Sequence, residues 1–98
     1  MTYTLTLFPH LGIFGSNKDV ATDLRLKEIL PHLAKHEEVI LDFAGVEAGT
    51  QSLVHALIAE PLQLYGKDTL KLLRFKSASP IMKTLISLVI DYTLLAKT

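Results

Sequence analysis

The sequence predicts an α/β fold, with a small mixed or mostly parallel sheet of about four strands and three or so helices. Three segments, at residues 3–8, 38–43 and 70–76, have the apolar content of strands, and helical patterns fill the intervals between them. Strands separated by helices need crossover connections, which produce a largely parallel sheet. The 98 residues are expected to form one domain, residues 1–98, with its own core and no separate substrate domain.

The first strand and the first helix lie in the first third of the chain. In YTLTLF (3–8), apolar and polar residues alternate with the period of a half-buried strand, which the following proline ends. HLGIFG (10–15) predicts either a turn or a short extra strand. Ser16 and Asp19 form a capping-box pattern, so a helix is expected to begin near Asn17.

The middle of the chain carries the strongest strand signal. Pro31 lies inside the preceding helical pattern and predicts a kink or a break into two shorter helices. EVILDF (38–43) follows, and its three adjacent apolar residues predict a central strand that is covered on both faces.

The second half of the chain repeats the alternation of helix and strand. Residues 50–64 predict a helix that bends at Pro61 and stops at Gly66. LKLLRFK (70–76) predicts the third strand, with Leu70 among its buried residues. Ser79-Pro80 predicts an N-cap and a proline in the first turn of a long final helix.

Composition limits the classes of function. Ten basic and ten acidic residues cancel, so no nucleic-acid partner is expected. The first 49 residues carry four basic and seven acidic residues and the last 49 carry six and three, which makes the chain dipolar. The absence of cysteine excludes disulfides and thiolate chemistry and suits a reducing cytoplasm. The start of the chain lacks the basic and apolar regions of a signal peptide.

The final helix is the most apolar part of the chain. One stripe consists of Ile81, Leu85, Leu88, Tyr92 and Leu95, and it is widened by Met82, Ile86, Val89, Ile90, Leu94 and Ala96. Such a helix is either covered on two sides within the fold or shared with a partner, so a homodimer through this helix is one candidate. Lys83 and Asp91 interrupt the tract well before the span of about 20 residues that a membrane requires, so no membrane insertion is expected.

Three hydrogen-bonding side chains, Thr50, Gln51 and Ser52, introduce the helix after the central strand. They are able to cap the helix, to contact a partner or, with a phosphate on Ser52, to act as a switch. In the capping interpretation, Thr50 is the N-cap, Gln51 and Ser52 satisfy first-turn amides, and Leu53 anchors the helix in the core. Asp42, at the strand's end, is expected to accept loop amides; a general base or metal ligand is the alternative.

Two other groups are candidates for binding. Glu28, His32 and His36 share a helix face at a spacing that suits zinc, but the polar face of any amphipathic helix would hold the same residues, and no metal site is predicted. Ser77 and Ser79 precede the final helix beside basic residues and are candidates for binding an anion; a solvated basic edge is the alternative. No nucleophile and base can be placed together, so no catalytic residue and no cofactor is predicted.

Three segments, in order, resemble the STAS-like domains, which are prokaryotic relatives of the domain shared by sulfate transporters and anti-sigma-factor antagonists. EEVILDFAGVE resembles the central strand and loop of the family, and TQSLVHALIAEPLQLYG resembles the helix that follows. LRFKSASPIMKTLI is similar to the last strand, the serine-rich loop and the final helix. GSNKDVATDL is similar to the start of the first helix.

The resemblance implies a cytoplasmic, non-enzymatic regulatory module that acts through protein–protein interaction. The partner it implies is a kinase-like ATP-binding protein or another signalling regulator. Ser52 falls on the serine that is phosphorylated in anti-sigma-factor antagonists, with Thr50 in place of the acid before it, Gln51 in place of a serine and Leu53 in place of a glycine. The alternative is a small-ligand or nucleotide sensor with a pocket between residues 50–52 and 77–79.

Overall fold

The computed structural model of the protein describes residues 1–97 and confirms the predicted α/β class. The strands are β1 (Thr2–Thr6), β2 (Phe14–Gly15), β3 (Glu38–Asp42), β4 (Ala48–Gly49) and β5 (Leu73–Lys76). The helices are α1 (Phe8–Leu11), α2 (Lys18–Leu24), α3 (Leu30–Ala34), α4 (Gln51–Tyr65), α5 (Thr69–Leu72) and α6 (Pro80–Lys97). The main sheet is parallel with strand order β1-β3-β5, and β2 pairs with β4 in a separate parallel pair.

The main sheet is covered on one face only. Its inward side chains, which are buried, include Leu5, Val39, Leu41 and Leu73. On the other face, Thr4, Ile40 and Arg74 stand side by side across the three strands, and only Ile40 is partly buried. The expectation of a central strand covered on both faces is therefore wrong. Strands β1, β3 and β5 are parallel and lie next to one another in chain order. When such strands are joined by right-handed crossovers, both helical connections lie on the same side of the sheet and the other side is left open.

The first third of the chain departs from the predicted boundaries at three points. β1 ends at Thr6 rather than at residue 8, because Pro9 stands in the first turn of α1. Of the two predictions for residues 10–15, the short strand is confirmed: β2 pairs with β4. The N-cap of α2 is Asn17 rather than Ser16, since Asn17 Oδ1 accepts hydrogen bonds from the backbone amides of Asp19 and Val20.

The helical segment runs from Lys18 to Ala34 without interruption, so the predicted break into two helices at Pro31 is absent. A π-helical turn (Arg25–Ile29) joins α2 to α3, with Leu30 N donating to Arg25 O. This change of hydrogen-bond pattern directly precedes Pro31, which has no N–H to continue it. Leu26, within the π-helical turn, is exposed.

The approach to β5 also differs from the prediction. Gly66, with φ of 62°, ends α4, and a 3₁₀ turn (Gly66–Asp68) leads into α5. The predicted strand began at Leu70, but Thr69–Leu72 forms a helical turn and Leu70 is exposed. The Thr69 hydroxyl is buried and donates to Pro61 O at 2.9 Å, which holds this turn against α4.

Helix α6 packs along α4 and closes the core. Its buried side is formed by Met82, Ile86, Val89 and Thr93, and α4 contributes Leu53, Val54, Leu57, Ile58 and Leu62 to the same core. The stripe identified in the sequence lies mostly on the other side, because Ile81, Leu88, Tyr92 and Leu95 are exposed. The helix therefore has two apolar sides, and the fold buries one of them. None of the helices in the described part of the chain is long and apolar enough to cross a membrane.

Candidate functional site

The start of α4 is fixed by hydrogen bonds on both sides of it. Asp42 Oδ1 accepts from Ala44 N at 3.0 Å, which closes the turn after β3 and confirms the expected turn role. Thr50 N donates to Gly15 O at 2.9 Å, and Thr50 Oγ1 accepts from Leu53 N at 3.1 Å. Thr50 is therefore the N-cap of α4, as expected, and ties the helix to β2.

Gln51 and Ser52 project from this fixed start and are exposed. The expectation that they satisfy first-turn amides is wrong: within residues 1–97, the cap of α4 is made by the Thr50 side chain alone. Leu53 is fully buried and anchors the helix in the core, so its side chain is not available to a partner. Gln51 and Ser52 therefore face solvent at the start of α4, and their side chains take no part in its cap.

A groove of about 550 Å³ opens beside these two side chains. It is lined by Lys18, Thr22, Arg25, Gln51, Ser52, His55, Ala56 and Tyr92. Arg25 Nη1 donates to Ala56 O at 2.9 Å, and Arg25 Nε lies 2.8 Å from Glu60 Oε2. The Nε contact lacks hydrogen-bond geometry and is an ion pair. Because Glu60 balances the charge of Arg25, Lys18 carries the remaining full positive charge of the groove.

Tyr92 connects the groove to α6. Its ring stacks on the ring of His55, with centroids 6.1 Å apart and an angle of 15° between the planes. The sequence did not identify Lys18, Arg25 or Tyr92 as part of this site, because the packing of α2 and α6 against α4 brings them there. His55 lies three residues after Ser52 and so on the same side of α4, which is the one signal available in the sequence.

Ser79 and Ser77 lie away from the groove. Ser79 Oγ accepts from Met82 N at 3.2 Å and donates to Glu47 O at 2.7 Å, so this hydroxyl caps α6, as predicted, and holds the loop after β3. Ser77 has a left-handed backbone, with φ of 57°, and lines a separate cavity of about 490 Å³. Residues 50–52 and 77–79 therefore do not enclose one common pocket.

Glu28 and His32 belong to a packed cluster around Tyr3. The rings of Tyr3 and His32 stack with centroids 4.0 Å apart, and His32 Nδ1 lies 3.0 Å from Glu37 Oε1. Burial raises the pKa of the Tyr3 hydroxyl, and the negative charge and hydrogen bond of Glu28 raise it further. Within residues 1–97, no group of three or more His, Cys, Asp or Glu side chains is placed to hold a metal ion.

Comparison with known families assigns this fold. A family model described as a STAS-like domain of unknown function (DUF4325) matches residues 25–83, which is more than half of the chain. The chain belongs to this STAS-like family. No curated protein matches the chain, and no solved structure does either.

The part of the STAS-like domain that matches the family contains the whole helix α4. It includes Arg25, Ser52 and His55, whereas Lys18 and Tyr92 of the groove lie outside the matched residues. The fixed start of α4 is therefore part of the family's shared region, and two walls of the groove are contributed by segments beyond it.

Proposed function

We propose that this STAS-like domain is a non-enzymatic regulatory module of the cytoplasm that binds a signalling protein. The binding surface in this proposal consists of Gln51, Ser52, His55 and Tyr92, here called the docking face. The observation that carries the proposal is the rigid, capped start of α4, which presents Gln51 and Ser52 to solvent without using them for its own stability. Contact residues on a rigid scaffold bind with a smaller loss of conformational entropy than mobile ones.

An apolar area next to the docking face supports a protein as the partner. Tyr92 is 40% exposed and Leu88, one turn before it, is 47% exposed. Interfaces between proteins commonly combine aromatic and apolar residues with a polar rim, which is the composition found here. The family resemblance implies a kinase-like ATP-binding protein as this partner.

Ser52 is the residue through which such a partner would regulate the contact. Its exposed hydroxyl stands in the first turn of α4, where the helix dipole favours negative charge, and Lys18 lines the same groove. A phosphate on Ser52 would add charge at the centre of the docking face. Incubation with the partner kinase and ATP is expected to add one phosphate, and the variant Ser52→Ala is expected to lose it.

A photo-crosslinking amino acid at position 51 tests the proposed contact directly in cells. The control places the same amino acid at Thr4, which is exposed on the open face of the sheet. We expect a crosslinked protein at position 51 that is absent at position 4, and mass spectrometry would show whether it has an ATP-binding domain. Equal crosslinking at the two positions would remove the docking face from the proposal.

We also propose that the exposed stripe of α6 mediates self-association. Its residues 81, 85, 88, 92 and 95 alternate steps of four and three, the spacing of a coiled-coil seam. In an antiparallel pair centred on Leu88, Ile81 of one copy would lie opposite Leu95 of the other, because each is seven residues from Leu88. In sedimentation experiments, Leu88→Lys is expected to abolish association, whereas Ser87→Lys, on the adjacent polar side, is expected to retain it. A wild-type monomer at millimolar concentration would contradict this proposal.

A small-ligand or nucleotide sensor is the alternative, and the groove beside Ser52 is the feature that favours it. Its volume lies within the range of about 300–1,000 Å³ typical of ligand sites. A panel of nucleotides and inorganic anions is expected to raise the Tm in this case, because a ligand that binds only the folded state stabilises it. An unchanged Tm with every compound would eliminate the alternative and leave the protein partner.

A further inference from the structure

A second cavity, of about 330 Å³, lies between the end of α3 and the turn that joins α4 to α5. It is lined by Leu33, His36, Tyr65, Asp68, Thr69 and Leu72. Leu33 and Thr69 are buried and form the floor, while the exposed side chains of the set stand at the mouth. The cavity is more enclosed and more apolar than the groove beside Ser52, and none of its residues takes part in the docking face.

His36 occupies the mouth of this cavity in a backbone conformation that favours glycine. Its φ is 60°, and it ends α3 in a Schellman arrangement, with His36 N donating to Leu33 O at 2.9 Å and Glu37 N donating to His32 O at 3.0 Å. Glycine is the usual residue at this position, because a side chain in the left-handed region strains the backbone. The chain thus carries an imidazole where the fold alone would favour glycine.

We infer that this cavity binds a small apolar amine, with the hydrocarbon body on the floor and the ammonium group at the mouth. Two features of the mouth favour a cation. Tyr65, which is 43% exposed, offers an aromatic ring, and the Asp68 carboxylate offers a negative charge. Lys71 lies 3.3 Å from Asp68, but both side chains are mostly exposed, so this ion pair is easily replaced by a ligand.

The same lining argues against an anionic ligand. No lysine or arginine lines the cavity, and the Asp68 carboxylate would repel a second carboxylate. The buried Thr69 hydroxyl on the floor already donates its hydrogen bond to Pro61 O, so it cannot donate one to a polar ligand group. An apolar body with one positive group therefore matches the cavity better than a phosphate or a sugar does.

Three probes of matched shape test the inference: benzylamine, benzyl alcohol and benzoate. Each has few atoms, so Kd values of roughly millimolar magnitude are expected for binding in such a cavity. Titration of the full chain, followed by amide chemical shifts, is expected to show benzylamine binding most tightly, with shifts centred on residues 33–36 and 65–72. Benzoate binding as tightly as benzylamine, or benzylamine shifts centred elsewhere, would overturn the inference.

Two glycine substitutions separate ligand binding from backbone strain. His36→Gly and Ser77→Gly both remove a side chain from a left-handed position, so each is expected to raise the Tm by roughly 2–6 °C. Only His36→Gly is expected to weaken benzylamine, by at least threefold, because Ser77 lines a different cavity.

Asp68→Asn tests the charge at the mouth. It is expected to remove the preference for benzylamine over benzyl alcohol while leaving the Tm within about 2 °C, since the Asp68 side chain makes no cap bond in α5. Benzylamine affinity that is unchanged in both His36→Gly and Asp68→Asn would refute the site.

Discussion

Replacing Gly49 by alanine is expected to displace the start of α4 from the sheet beneath it. A Cβ atom at position 49 would lie 2.7 Å from the carbonyl oxygen of Gly15 on the paired strand β2. This oxygen belongs to the backbone and also accepts the hydrogen bond from Thr50 N at 2.9 Å. Since no flexible side chain can move aside, β4 must separate from β2, and the N-cap of α4 moves with it.

The size of the effect follows from these two contacts. Overpacking of this kind costs about 1–3 kcal/mol, and the loss of the Thr50 N bond to Gly15 O adds about 1 kcal/mol. A total of about 2–4 kcal/mol corresponds to a fall in Tm of at least about 8 °C in a domain of this size. The assay is chemical and thermal unfolding followed by circular dichroism, on the wild type and the variant.

Gly15→Ala is the matched control on the other strand of the same pair. Its Cβ would lie 3.5 Å from the Leu53 side chain and 3.6 Å from Leu11, which are ordinary contacts, so we expect a stability within about 1 kcal/mol of the wild type. Equal destabilisation by the two substitutions, or a Gly49→Ala variant as stable as the wild type, would refute the close approach of β2 and β4 as the support of α4.

Three further substitutions test individual contacts. Thr50→Ala is expected to lower the unfolding free energy by about 1 kcal/mol, whereas Thr50→Ser is expected to lower it much less, because serine keeps the hydrogen bond from Leu53 N. Equal losses in urea unfolding would contradict the capping role of Thr50. Thr93 Oγ1 is buried with no hydrogen-bond partner in the described part of the chain, so Thr93→Val is expected to raise stability by about 1 kcal/mol, and a loss would contradict that assignment. Burial and Glu28 raise the pKa of Tyr3, so the unfolded chain loses the hydroxyl proton at a lower pH than the folded chain does. The free energy of unfolding is therefore expected to fall as the pH rises above about 10, and Tyr3→Phe is expected to flatten that fall. Identical profiles of unfolding free energy against alkaline pH for the two proteins would refute the shift.

The sequence predicted the local features of the fold well, because their causes are local. Asp42 and Thr50 were expected to close a turn and to cap a helix, and each does so with a neighbour two or three residues away. Pro31 was expected to kink or break its helix; the helix continues, but a π-helical turn directly precedes the proline. These effects depend on a few consecutive residues, which a sequence displays directly.

The features that the sequence did not predict depend on packing between distant segments. Leu70 has a strand-like neighbourhood, but the hydrogen bond from Thr69 to Pro61 holds that turn in a helical conformation. Ile40 has the apolar neighbours of a two-sided strand, yet Thr4 and Arg74, which flank it on that face of the sheet, are exposed. The groove likewise forms only where α2 and α6 meet α4, so Tyr92 could be recognised as part of an apolar stripe but not as a neighbour of His55.

The affinity of the purified partner for docking-face variants tests the central proposal most directly. Once crosslinking at position 51 has identified the partner, its Kd is measured by calorimetry for the wild type, Ser52→Asp and the control Thr4→Asp. Both substitutions add one negative charge to an exposed residue, but only Ser52 lies on the docking face. We predict that Ser52→Asp changes the Kd by at least tenfold and that Thr4→Asp changes it by less than twofold. Equal effects of the two substitutions would contradict the claim that the partner binds at the docking face.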